Sequence, residues 1–212
     1  MSHNGPFRCE CGQLHDEYDE SNDLFQFVNN EGITCLNESI PGSCKRVVRP
    51  YSQRLDTVVG ELCSDEDDPE LMLHIPFTVA VKLSSFVVLG GVGGAAPAHV
   101  RAFINREGLD FSDAGSATPA QEWDLAEDLL GVLEYPTQRS KFQNVNSLTL
   151  HFTENHGGSA DEMATRIRYI GLKGIGTQNR RGIVDAVYEL RPVPTSNDAL
   201  YQEAGNSAQP GM

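Results

Sequence analysis

A chain of 212 residues fits one domain with tails and is long enough to bury a sizeable core. Only 39% of it is hydrophobic, so part of the length is expected to stay unpacked. Lys and Arg number 16 against 30 Asp and Glu; the resulting charge of −14 excludes a general nucleic-acid binder, disfavours anionic membranes and favours basic partner surfaces.

Residues 1–22 are polar and acidic, with little to bury, and read as a flexible acidic arm. The start has no apolar run of the kind a secretory signal needs. That points to a reducing compartment, cytoplasmic and also nuclear, with thiols at Cys9, Cys11, Cys35, Cys44 and Cys63. The arm holds His3, Cys9, Cys11 and His15, all able to ligate zinc. A structural zinc site parts its paired ligands by two to four residues, whereas Cys9 and Cys11 are parted by one, so an unstructured arm is the preferred reading and no cofactor is expected.

Leu24, Phe25, Phe27 and Val28 predict a short N-terminal amphipathic helix that docks on the core. Strands follow. LMLHIPF sets Leu71, Leu73, Ile75 and Phe77 on one face, with Met72 and His74 on the other. VAVKLSSFVVL aligns Val79, Val81 and Leu83, then turns apolar on both faces at Phe86, Val87 and Val88, as a doubly covered strand or a bulge would. HVRAFI, RIRYIGL and IVDAVYEL add three more, and WDLAEDLLGVLEY has room for one helical turn or two. In KFQNVNSLTLHF, Leu148, Leu150 and Phe152 alternate with Ser147, Thr149 and His151, as in a strand with one buried and one wet face. Turn formers at 64–70, 90–98 and 155–162 separate these runs, which argues for an all-β antiparallel sandwich or jelly roll. The sequence after Pro194 reads as a disordered tail over 195–212.

Motifs for chemistry are sparse. The run from Gly90 to Gly94 lacks the GK[ST] ending of a phosphate-binding loop. Asp65, Glu66, Asp67, Asp68 and Glu70 offer oxygens to calcium, without the spacing of an EF-hand. There is no GxSxG and no CxxC, and Cys35 has no evident His partner. His74 and His151 sit on the polar faces of strands and read as surface residues, not bases. Trp123 is the sole tryptophan, a poor supply of platforms for sugar.

Five segments in order, ITCLNES, IPFTVAVKLSSFVVLG, VRAFINREGLDF, LEYPTQRSKFQNVNSLTLHF and TRIRYIGLKG, resemble the PITH domain, the proteasome-interacting module found C-terminal in thioredoxin-like proteins. The resemblance runs from about residue 24 to about 193 and implies a jelly-roll sandwich of galactose-binding-like type, here as a PITH domain over 23–194. The chain starts too close to CLNES to hold a thioredoxin domain, so the standalone type is expected and redox activity is not carried over. The family supplies no catalytic residues. What the resemblance implies is a non-enzymatic, monomeric protein-binding module at the proteasome regulatory particle. Cys35, Leu36, Asn37 and Glu38 are the candidate partner-binding cluster, though a corner closing the sandwich explains them equally. Phe142 and Val145 are expected to pack where the strand begins, with Asn144 satisfying backbone groups. The alternative function is a carbohydrate- or calcium-binding sandwich, which rests on fold analogy alone.

Overall fold

Runs with one apolar face and many β-branched residues form strands because the pleat lets each face meet a different environment. The structure, a computed structural model, describes residues 22–158 and 163–180, with side chains as far as Thr177. In chain order the elements are β1 (Thr34–Leu36), α1 (Cys44–Val47), β2 (Leu62–Cys63), β3 (Leu71–Gly90), β4 (Pro97–Ile104), α2 (Phe111–Ser116), β5 (Gln121–Asp124), β6 (Tyr135–Pro136), β7 (Val145–Asn155) and β8 (Arg166–Arg180). Every pairing between these strands is antiparallel, in the order β2-β8-β3-β7-β4-β5, with β1 and β6 also on β3. The all-β class expected from the strand pattern is therefore the class observed.

LMLHIPF and VAVKLSSFVVL, two strands by pattern, are one strand of 20 residues, since only Thr78 lies between them and it makes no turn. Pro76 has no N–H to give, and pairing with β7 shifts just after it, between Pro76 and Val81. From there β3 changes neighbours. Its first half lies between β1 and β7, its second half between β8 and β6. One strand thus serves both layers of the jelly-roll sandwich, and Leu73, Ile75, Val88, Leu150, Phe152, Ile170 and Leu172 meet in one core.

The change of face at Phe86 is a bulge. The register with β8 shifts between Leu83 and Ser85, so Val81 and Leu83 point inward before it and Phe86 and Val88 after it. The opposite face is covered as well: Val87 and Leu89 pack with Tyr169 beneath Tyr51, and Met72 packs with Phe103 and Ala114 of α2. Both sequence alternatives, the bulge and the double cover, hold.

Two expectations change in form. The N-terminal helix is a single 3₁₀ turn at Phe25–Phe27, flanked by the buried side chains of Leu24 and Val28. WDLAEDLLGVLEY forms β5 and then a loop instead of a helix, for a reason given below. The helix that does form nearby, α2, starts where Asp110 accepts the Asp113 amide at 2.7 Å. The strand IVDAVYEL, the tail, most of the acidic arm with His3, Cys9, Cys11 and His15, and part of the 155–162 turn lie outside the described residues. Among those described, no helix is long and apolar enough to cross a membrane.

Candidate functional site

The CLNES segment turns the chain from β1 into α1. Asn37 adopts a left-handed conformation, φ 67°, which asparagine tolerates better than most residues. From there its side-chain amide donates to the carbonyls of Asp68 at 3.1 Å and Glu70 at 2.7 Å, tying the corner to the acidic loop. Glu38 accepts from the Gly42 amide at 2.6 Å, the Ser43 hydroxyl at 3.2 Å and the Cys44 amide at 3.0 Å, so its carboxylate satisfies donors at the start of α1. Leu36 alone of the four presents a large apolar surface, at 41% exposure. The side chains of Asn37 and Glu38 are consumed in holding the corner.

Nucleophilic chemistry has little support at this corner. Burial, the neighbouring Cys44 and Glu38 all push the Cys35 thiol far up from its ordinary value. Cys44, fully buried, is pushed up to about 12 by burial and then by the Glu38 charge. Burial raises Cys63 too. A thiol held protonated is neither a nucleophile nor a metal ligand.

The polar face of β7 differs from expectation. Ser147, Thr149 and His151 do lie opposite the core, yet all three are buried, at 4%, 2% and 3% exposure. The cover comes from distant sequence. His151 stacks at a tilt on Phe111 of α2, 5.6 Å between ring centres, and its Nε2 lies 3.2 Å from the Glu70 carboxylate. Its Nδ1 has no hydrogen-bond partner. His74 Nδ1 lies 3.0 Å from Thr149 Oγ1. Burial lowers the pKa of both rings, which favours neutral imidazoles. The surface reading of His151 is therefore corrected: it is a buried residue on the outer side of the sheet. Asn144 also changes role, because the side chain that satisfies backbone here is Asn105. Its amide donates to the Asn144 carbonyl at 2.8 Å and accepts from the Asn146 amide at 2.7 Å. Phe142 and Val145 pack in the core as expected.

The acidic loop is engaged in its own turns, with Asp65 and Asp68 accepting the amides of Asp67 and Glu70. No cluster of three or more His, Cys, Asp or Glu side chains suited to a metal occurs among the described residues. Trp123 is half-buried, perpendicular to Phe86 at 4.8 Å between ring centres and tilted against Phe142, and its indole N–H donates to the Pro136 carbonyl at 3.0 Å, so the ring is engaged in packing.

Two features escaped the sequence reading. One is a cleft of about 340 Å³ at the bulge, lined by Lys82, Leu83, Ser84, Arg139, Phe142 and Ile175, with two cations on its wall. The other is the loop after β5. Asp128, 5% exposed, accepts four backbone amides in fan order: Leu130 and Gly131 at 2.9 Å each on one oxygen, Val132 at 2.7 Å and Leu133 at 2.8 Å on the other. A carboxylate that gathers successive amides replaces the i to i+4 bonds of a helix, which is why this helix-patterned stretch is a loop.

A family model described as PITH domain matches residues 15–192 of the chain. Among curated proteins, PITH domain-containing protein 1 of Dictyostelium discoideum is 37% identical over 169 residues, 80% of this chain and 81% of the relative. PITH domain-containing protein 1 of Homo sapiens is 34% identical over 188 residues, 85% and 86% of the two chains. Among solved structures, the C-terminal domain of a chitobiase from Bacteroides fragilis aligns with a TM-score of 0.45 and 14% identity, over 68% of this chain and 92% of that one. A family 32 CBM from C. perfringens NanJ, in complex with galactose, aligns with a TM-score of 0.45 and 11% identity, over 69% and 97%.

Proposed function

The chain belongs to the PITH domain family, and on that premise we propose that it is a non-catalytic protein-binding module that associates with the proteasome regulatory particle, in the cytoplasm and the nucleus. The single observation that carries this reading is the family match over residues 15–192, a span that includes the whole described sandwich. The chemistry of the corner is compatible with it: Asn37 and Glu38 hold structure, and the described thiols are kept protonated. The rigid sandwich presents loops to the partner, while the net charge of −14 steers approach toward basic surfaces. Leu36, exposed at the corner, is the member of the CLNES cluster placed to touch a partner.

The test is co-sedimentation of the purified full chain with intact proteasomes and, in parallel, with the isolated core particle. Binding to the intact assembly alone supports the reading; binding to neither refutes it. Steering by charge further requires that association slow as salt rises, because exposed charges are screened over about 8 Å at physiological ionic strength.

A further inference from the structure

One cleft runs against the charge of the chain as a whole. On a molecule of net charge −14, the cleft of about 340 Å³ at the β3 bulge carries Lys82 and Arg139, and none of its described lining residues is acidic. Both cations are exposed, and neither makes an ion pair among the described residues. The charged groups adjoining the lining are committed elsewhere. Lys173 pairs with Glu134 at 3.0 Å, and Lys141 donates to the Ala120 carbonyl at 2.7 Å. The Asp23 carboxylate accepts the amides of Phe25 and Tyr51 at 2.9 and 3.0 Å. The cleft is therefore a local cationic site, and two unneutralised charges there attract an anion.

The site is formed before anything enters it. The register shift between Leu83 and Ser85 takes Ser84 out of the β8 pairing, and its hydroxyl donates to the Lys173 carbonyl at 2.9 Å. Leu83 donates its amide to the Phe142 carbonyl at 3.1 Å and accepts the Thr137 hydroxyl at 2.6 Å. Leu83 and Phe142, both buried, supply an apolar floor, and Ile175 stands at the rim with 63% exposure. The volume lies at the small end of the roughly 300–1,000 Å³ of ligand pockets, room for a side chain or two of an extended peptide. A site already ordered loses little conformational freedom on binding.

These groups define the occupant: an aromatic or aliphatic side chain for the floor, with carboxylates beside it for the two cations. The chain supplies such a segment at the cleft itself. Asn22 is part of the lining, and Asp16, Glu17, Tyr18, Asp19 and Glu20 shortly before it set one aromatic ring among four carboxylates. At about 3.3 Å per extended residue, Tyr18 lies within roughly 13 Å of Asn22 and Asp16 within roughly 20 Å. A ligand tethered at so short a range acts at an effective concentration on the order of millimolar, so modest contacts suffice to seat it. We propose that the cleft is a binding site for an acidic, aromatic-bearing peptide, and that Asp16–Glu20 of the same chain fills it. Tyr18 covers Leu83 and Phe142, and the neighbouring carboxylates meet Lys82 and Arg139. The inference stands apart from the proteasome reading, because it is tested on the purified chain alone.

The first test is zero-length carbodiimide coupling of the full chain at low micromolar concentration, which joins a carboxylate to a lysine amine only where the two touch. The chain has four lysines, at 45, 82, 141 and 173, so peptide mapping by mass spectrometry identifies the amine used. An amide within one molecule between Asp16–Glu20 and Lys82 is expected. R139E leaves that amine in place and should lower the yield about fivefold, whereas an arm that merely passes by would couple as before. The second test is chymotrypsin cleavage after Tyr18, with cleavage after Phe7 as the internal reference. K82E/R139E should speed the first relative to the second by about fivefold, while thermal unfolding stays within about 2 °C of the parent. No coupling to Lys82, coupling that R139E leaves unchanged, or equal cleavage ratios in parent and K82E/R139E each overturn the inference. Coupling found only between two molecules overturns it too, since the occupant would then be the arm of a second copy.

Discussion

Replacing Asp128 with Ala should be among the most damaging single changes outside the core. The side chain is small and polar, yet four amides converge on it at 2.7 to 2.9 Å. After truncation the Gly131 amide, which is buried, has no water to turn to, and an unmet buried donor costs about 1–3 kcal/mol. The other three amides are partly exposed and recover much of their loss through solvent, at roughly 0.5 kcal/mol each. The sum is about 3 kcal/mol, or a drop in Tm of roughly 6–12 °C for a domain of this size. Asp128→Asn keeps the shape and one acceptor oxygen but sets an NH₂ group against the other pair of amides, so it should lie between parent and Ala. Urea unfolding followed by the fluorescence of Trp123, the only tryptophan, reads all three proteins under one protocol. A loss below about 1 kcal/mol for the Ala variant, or an Asn variant as unstable as Ala, would refute the claim that the carboxylate organises the loop.

Three further outcomes are expected. Because the Cys44 pKa rises from 9.0 to about 12 on folding, the unfolded thiol ionises first as pH climbs, so Cys44 stabilises fully below pH 9 and loses about 1.4 kcal/mol per pH unit from there toward 12; replacement by Ala should flatten that limb of the stability curve, and an unchanged limb would contradict the assignment. His151 and His74, lowered by burial, should remain neutral at pH 6.5 in ring-proton NMR titrations; their contribution is intact above the unfolded value near 6.5 and declines as pH falls through the lower folded value, so a ring titrating above 6.5 would be inconsistent with its burial. Gly174→Ala should destabilise by about 2 kcal/mol or more, since the added methyl collides with the Lys82 carbonyl across the β3–β8 pairing; a Tm within 2 °C of the parent would show that the bulge relaxes around it.

How much was readable in the chain follows the range of each interaction. Alternation is a property of neighbouring residues, so Leu148, Leu150 and Phe152 could be assigned to the core from spacing alone, and the change of pattern at Phe86 narrowed to a bulge or a doubly covered strand. The acidic imbalance and the ordered family segments were equally local to the text of the chain. Cover is different, because it depends on what returns from far away. Ser147, Thr149 and His151 carry the pattern of a wet face, and only the arrival of Phe111 and Glu70, 40 and 81 positions earlier, makes that face dry. The same holds for CLNES, whose Asn37 finds its acceptors 31 and 33 residues on, and which no local rule distinguishes from an exposed binding motif. Asp128 misled in the opposite direction. The apolar spacing after it suits a helix, but a carboxylate buried against Gly131 captures the amides a helix would use, and burial of that carboxylate is decided by the loops packed around it. Sequence alone determined which residues prefer a dry environment and the order of the strands that bury them. The tertiary structure decided which polar groups are left for water and partners, because a side chain's availability depends on every segment folded against it.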